Sequence, residues 1–312
     1  MTGDAMVPRR AADAVAVARA ATLQSLTGSQ RRGRLVSGIF VILMLSGVAL
    51  AIAGLVALIV FMFAEGGGRM TWSLLTNPPS TISPGTAGYR TAILGTLYVI
   101  GGVVFMIVPV GVGAAVYLEE YADKDRWWNR LIELNIQNLA GVPSIVFGIL
   151  GLAFIVRGPI GLGFVAAAGS ITVGLLVLPT VILASREAIR AVPSSISDGA
   201  LALGATRWQT IRMQVLPAAT PGILTGVILS VARAIGEAAP LLLVGAVTFV
   251  TFNPRFFSDG YSTLPVMIYQ YSNRPQEEFR ILAAAGVIVM LILVLALNSF
   301  AVWLRDRFER RW

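Results

Sequence analysis

The chain contains no cysteine and no histidine. The first absence excludes disulfides and thiolate nucleophiles. The second removes imidazole bases and, together with the first, the usual zinc sites. Lysine is nearly absent too. Lys124 is the only one, and it follows Asp123, so the Gly-Lys-Ser/Thr end of a Walker A loop cannot be built. Serine–histidine and cysteine catalysis are ruled out, and Lys124 lies in a loop with no serine dyad. No catalytic residue, metal site or resident cofactor is expected, and the chain is read as a non-enzyme. Charged residues make up 13% of the sequence, about half the ~25% of a soluble domain.

The charge is missing in blocks. Uncharged runs cover Leu35–Ala64, Thr91–Leu118, Leu134–Val156, Gly158–Ser185 and Ile281–Leu304, and a sixth, Met213–Pro254, is broken only by Arg233 and Glu237. Each exceeds the roughly 20 residues needed to cross hydrocarbon, so six transmembrane helices are expected. The first run is too long for a secretory signal and stands behind a 1–34 tail, so it reads as a retained span. Within that tail Ala11–Leu26 is a weak Ala-rich helix candidate without an assigned role. Residues 65–90 are expected to form an external loop, 91–304 a five-helix core, and 305–312 a second tail. The basic residues divide unevenly. Arg9, Arg10, Arg19, Arg31, Arg32, Arg34, Lys124, Arg126, Arg130, Arg186, Arg190, Arg207, Arg212, Arg305, Arg307, Arg310 and Arg311 fall on the terminal side. Arg69, Arg90, Arg157, Arg255, Arg274 and Arg280 fall on the other. That bias places both termini in the cytoplasm. The net charge of +8 reads as membrane topology; no concentrated basic face for nucleic acid is present. Trp127 and Trp128 suit the headgroup level.

The segment after the fourth run, "SREAIRAVPSSISDGALALGATRWQTIRMQVLPAATPGILTG", is longer than the about 2–8 residues of an ordinary helix connection. Ala200–Leu203 favours helix, and Gly204 ends it as a C-terminal cap. Thr206 with Gln209 has capping-box spacing. Trp208, Ile211 and Val215 form one apolar edge, and Pro217 and Pro221 are expected to end the second short helix. The residues read as a helix–turn–helix on the cytoplasmic face, docked by one edge. A lone amphipathic helix lying on lipid shares this pattern.

The spacing resembles the signature of ABC-importer permeases: Glu-Ala-Ala, three residues, Gly, nine residues, Ile, one residue, Leu-Pro. Here Asp198-Gly199-Ala200, Gly204, Gln214 and Leu216-Pro217 stand at those positions, with Asp198, Gly199 and Gln214 departing from it. The resemblance implies a type I ABC importer permease fold, all-α and integral to the membrane. It also implies that the 186–217 loop carries a coupling helix that sits in a groove of a cytoplasmic ATPase. A narrower resemblance, carried by "LLTNPPS", "GYRTAILGTLYV", "GVPSIVFGILGLAF" and "ARAIGEAAPLLLVGA", is to the phosphate-specific permease family PstA. It covers roughly residues 70–305 of this sequence. It implies half of a heterodimeric pore for inorganic phosphate in a bacterial plasma (inner) membrane. The implied partners are a PstC-like sister permease, two copies of a PstB-like ATPase that holds ATP and Mg, and an external PstS-like phosphate-binding protein. The alternative is a secondary anion transporter or channel acting without an ATPase, in which paired broken helices are the expected mark.

Arg233 and Glu237 interrupt the fifth membrane-length run. A charge at mid-membrane costs about 2.5–3.5 kcal/mol on insertion scales, so a pair is expected. At i and i+4 on one helix the two reach each other, and both are expected to face the bundle interior. They are either a structural ion pair or a gate on an anion path, since Arg offers phosphate a matching planar fork. The PstA resemblance associates the pair with transport. Pro240 is expected to let the outer half of this span bend. Asn135, Gln137, Asn138, Asn298 and Arg157 are weaker candidates, explained by helix ends, interhelical hydrogen bonds or snorkelling.

Overall fold

The computed structural model describes residues 9–123, 125–246 and 250–308. Residues 1–8 of the expected N-terminal tail, Lys124, the 247–249 stretch of the fifth run, and Arg310 and Arg311 of the C-terminal tail lie outside the described residues. The chain divides into two compact units, residues 1–61 and 62–312.

The first unit belongs to one helix, α1 (Arg9–Gly66). Secondary structure continues without a break across residues 34 and 35, because the Ala-rich tail favours helix and no proline interrupts it. Apolar side chains along it, among them Ile39, Phe40 and Leu50, are exposed.

The second unit is built on α2 (Arg90–Val116), α3 (Trp127–Ala140), α4 (Ser144–Leu150), α5 (Ala166–Arg190), α6 (Ser194–Ala202), α7 (Arg207–Gly236), α8 (Leu264–Ser272) and α9 (Glu277–Phe308). Five helices, with α1, α2, α5, α7 and α9 at their centres, are long and apolar enough to cross a membrane. The expected third span is not one straight helix. α3 and α4 meet at 107°, across Gly141-Val142-Pro143. Pro143 supplies no N–H and disfavours helix at the residue before it, so the run must turn there. The pair makes the sixth crossing only as a bent span.

Small residues bring the central helices together. α5 is the hub, packed against α2 on one side and α7 on another. Gly222 and Gly226 of α7 lie on Ala188 and Ala184 of α5, and a Cβ built on Gly222 would come within 2.7 Å of the Ala188 Cβ. Spaced small residues facing each other are how membrane helices approach closely where lipid supplies no hydrophobic drive. Val99, Val103 and Ile107 of α2 and Val173, Val177 and Val181 of α5 fill the core between them.

The two ends of the unit differ. At one end, the 65–90 loop is packed rather than loose. Leu74, Ala87 and Tyr89 are buried with Leu264, Met267 and Tyr271 of α8 and with Phe279 and Leu282 of α9. The Tyr89 hydroxyl donates to the Leu282 carbonyl at 2.9 Å. At the other end lie the last turn of α2, the start of α3, the end of α5, α6 and the start of α7, hereafter the loop end.

Candidate functional site

The loop end carries every residue of the permease-like signature. Asp198, Gly199 and Ala200 lie on α6, which buries none of its residues. Gly204 closes it at φ +88°, a conformation that costs any residue with a Cβ. There the Gly204 N–H donates to Leu201 O at 2.9 Å and the Ala205 N–H to Ala200 O at 3.1 Å, the paired bonds of a glycine-capped terminus. Thr206 and Gln209 form the capping box in full, with Gln209 N–H to Thr206 Oγ1 at 3.3 Å and Thr206 N–H to Gln209 Oε1 at 2.8 Å.

Two sequence expectations fail here. Pro217 and Pro221 do not end the second helix. Arg207–Gly236 is one helical run of 30 residues, with a widened turn over Ile211–Val215 in which the Leu216 N–H reaches back five residues to Ile211 O. That wider turn accommodates a proline at the next position, whose missing N–H would otherwise interrupt the ladder. The docked edge is also different. Ile211 and Val215 are buried against Ala115, Val116 and Ile189, but Trp208 is exposed and Thr210 takes the third inward place. Trp208, Leu201, Leu203 and Met213 turn outward, Leu203 being 91% exposed. Gln214, the departure from the signature's Ile, is exposed and leaves no gap inside. Leu216 and Pro217 are half-buried.

An ionic cluster missed at the sequence level lies beside this loop. The Arg186 Nε donates to Glu119 Oε2 at 3.3 Å, and its Nη1 to Glu133 Oε1 at 3.1 Å. Arg190 holds Glu119 with two bonds, Nε to Oε1 at 2.9 Å and Nη2 to Oε2 at 3.1 Å. The side chains of Arg186 and Glu119 are 6% and 7% exposed. The cluster therefore joins the widened turn that follows α2, Tyr117–Tyr121, to α3 and α5. Arg207 ties α7 to the same place, donating to the Glu120 carbonyl and lying 5.2 Å over the Tyr121 ring. The only sequence signal was a set of opposite charges at the ends of the second, third and fourth uncharged runs.

Arg233 and Glu237 are brought together, but not as expected. Nε and Oε1 stand 3.4 Å apart. α7 ends at Gly236, and Glu237 is extended, at φ −76° and ψ 108°. The pair thus closes across a helix end rather than along one helix face. The cause is Pro240, whose ring clashes with the carbonyl four residues back, that of Gly236. The break therefore precedes Glu237 instead of following it. A short helix, Ala239–Leu243, resumes beyond it. Nor do both charges face inward. The Glu237 side chain is 17% exposed, whereas that of Arg233 is 47% exposed, on a face of α7 that this chain leaves open.

Of the weaker candidates, the Asn135 Nδ2 donates to Leu131 O at 2.8 Å and the Arg157 guanidinium lies 5.6 Å over the Phe164 ring. No group of His, Cys, Asp or Glu among the described residues is placed to hold a metal ion.

A family model described as "Binding-protein-dependent transport system inner membrane component" matches residues 107–312. Similar proteins include the "Probable ABC transporter permease protein YqgI" of Bacillus subtilis (strain 168), 30% identical over 82% of this chain and 90% of that protein. The "Phosphate transport system permease protein PstA 1" of Mycobacterium tuberculosis (strain CDC 1551 / Oshkosh) is 33% identical over 72% of each chain. The PstA protein of Haemophilus influenzae is 35% identical over 68% of this chain and 74% of its own. Among solved structures, an inward-facing MetNI methionine ABC transporter aligns with a TM-score of 0.56 at 19% identity, over 70% of this chain and 95% of that one. A bacterial alginate ABC transporter aligns at 0.52 and 16%, over 71% and 80%. At those identities the structures speak for the fold alone, and the fold is that of an ABC importer permease.

Proposed function

The chain belongs to the family of binding-protein-dependent transport system inner membrane components, and we propose that, as a membrane permease subunit of an ABC importer, it passes inorganic phosphate. Such a subunit works with an ATPase, a substrate-binding protein and a second permease. The observation that carries the proposal is Arg233, paired with Glu237 at 3.4 Å yet nearly half exposed on an uncovered face of α7. An arginine at membrane depth is costly and belongs against protein or water. A sister permease of PstC type, docked on that face, would place Arg233 in the passage between the two subunits. Phosphate arriving from an external PstS-like protein would meet the guanidinium fork, and Glu237 would hold the arginine when the ion is absent.

Energy would enter at the loop end. α6 buries nothing of its own, and Leu201, Leu203, Trp208 and Met213 stand exposed around it. That surface suits the groove of a PstB-like ATPase, two copies of which would bind ATP and Mg. Asp198, Gly199, Ala200, Gly204, Leu216 and Pro217 would form the coupling element. Sidedness follows in this reading: the loop end and both termini face the cytoplasm.

The test is uptake of labelled phosphate by the complex reconstituted with its ATPase and binding protein, against sulfate and molybdate. Phosphate-selective, ATP-dependent uptake is expected. Uptake by the chain without an ATPase would return the secondary-transporter reading, and preference for another anion would overturn the substrate.

A further inference from the structure

The end of α2, the start of α3 and the end of α5 enclose a cavity of about 230 Å³, lined by Asn129, Arg130, Glu133, Arg186 and Arg190 over Leu118. Two of its groups are unused. Asn129 is 6% exposed; its Nδ2 donates to the Asp123 carbonyl at 2.8 Å, but its Oδ1 meets no donor among the described residues. Turning the amide over would set oxygen against oxygen at Asp123, so the free acceptor is fixed. Arg130 lines the same cavity and makes no ion pair or side-chain hydrogen bond among the described residues. Its neighbours differ: Arg126 holds Asp123, and Arg186 and Arg190 hold Glu119, Glu133 and Glu187. With those carboxylates engaged, the cavity presents one free guanidinium and one buried, unsatisfied acceptor.

A ligand that completes both must offer anionic oxygens in a fork-compatible plane and, beside them, a hydrogen-bond donor. An ionised carboxylate or sulfate has no donor. A protonated phosphate has both, in its P–O⁻ and P–OH groups. So does a phospholipid headgroup whose phosphodiester is followed by an ammonium or hydroxyl. Trp127 and Trp128, 71% and 41% exposed at the mouth of α3, suit the level of lipid headgroups.

We propose that this cavity binds a phosphate group that carries an adjacent hydrogen-bond donor, either a phospholipid headgroup or free phosphate, with Arg130 on the anionic oxygens and Asn129 Oδ1 on the donor. The site is separate from Arg233, and its occupancy does not depend on what the chain transports.

Two arms distinguish the sources. The full chain in phosphatidylcholine nanodiscs, whose headgroup has no N–H or O–H, is titrated calorimetrically with inorganic phosphate and with sulfate. In parallel, chain released from vesicles of phosphatidylethanolamine, phosphatidylglycerol and phosphatidylcholine is examined by native mass spectrometry for retained lipid. Saturable phosphate binding without sulfate binding identifies the free ion; retention of a donor-bearing lipid in preference to phosphatidylcholine identifies the headgroup. In either case Arg130→Gln should weaken binding about tenfold or more, the loss of a charge-assisted hydrogen bond. Arg130→Lys should restore part of it, and Arg255→Gln, at an exposed guanidinium outside the cavity, should leave it unchanged. Neither phosphate binding nor selective lipid retention would mean that the cavity holds water only, and would overturn the proposal. So would binding that survives Arg130→Gln but disappears with Arg233→Gln.

Discussion

Arg186 of α5 and Glu119 in the turn after α2 lie 3.3 Å apart with both side chains almost entirely out of solvent, and Glu133 of α3 takes the other side of the same guanidinium. The three elements at the loop end are thus pinned by charge, in a chain that has little charge elsewhere. Removing one partner of a buried pair leaves the other uncompensated, at a cost of about 3–5 kcal/mol. Glu119→Gln is therefore expected to lower the unfolding midpoint of the detergent-solubilised chain markedly. The double change Glu119→Leu with Arg186→Met should recover much of that loss. Equal damage from single and double variants would show that the pair is not a unit.

Arg233→Ala is expected to abolish phosphate uptake by the assembled complex while the ATPase still co-purifies with the chain. Lysine at the same position, which keeps the charge but loses the fork, should retain only a small part of the activity. Loss of the ATPase from the Arg233→Ala complex would instead assign the pair a structural role.

Asp198→Lys reverses a charge on the exposed α6 without touching a buried group. ATP hydrolysis by the complex is expected to continue but to lose its dependence on transport, read as the ratio of phosphate moved to ATP consumed. An unchanged ratio would remove α6 from the coupling element.

Gly204→Ala tests the cap itself. Nothing lies within 4 Å of an added Cβ, so the penalty is confined to the left-handed backbone, about 1–2 kcal/mol. α6 should fray and ATPase capture weaken roughly tenfold, with the helical content of the bundle unchanged. Capture at full strength would show that α6 need not be preformed.

The phenols at the opposite end carry a pH signature. Burial raises Tyr271 to about 12 and pushes Tyr89 and Tyr261 up as well. An unfolded chain releases these protons near pH 10, whereas the folded chain keeps them. Stability is therefore expected to hold constant below about pH 10 and to fall above it. Phenylalanine at position 271 should flatten part of that alkaline slope.

How much of this was legible in the residues depends on whether a feature is local. The spans could be read because charge is excluded from hydrocarbon residue by residue. The Gly204 cap and the Thr206–Gln209 box are three-to-six-residue devices, and both stand where spacing put them. The outward turn of Trp208 was not legible, because which side of the edge is covered is set by Ala115, Val116 and Ile189, far away in the chain. The end of α7 at Gly236 could have been taken from Pro240, since a proline acts on the carbonyl four residues back. The Arg186–Glu119–Glu133 cluster joins residues far apart in the chain, and no local rule pairs them.

If Arg233 lines the passage as proposed, the extended backbone at Glu237 has a kinetic consequence. A carboxylate on a rigid helix would answer its arginine with one fixed strength. On a residue outside the helix, a modest rotation about the main chain suffices to tighten or slacken the grip. A translocation pore delivers cargo only if it releases as readily as it captures. A counter-ion on a swivel would let the guanidinium attract an anion on entry and surrender it on exit, without the affinity of a terminal binding site.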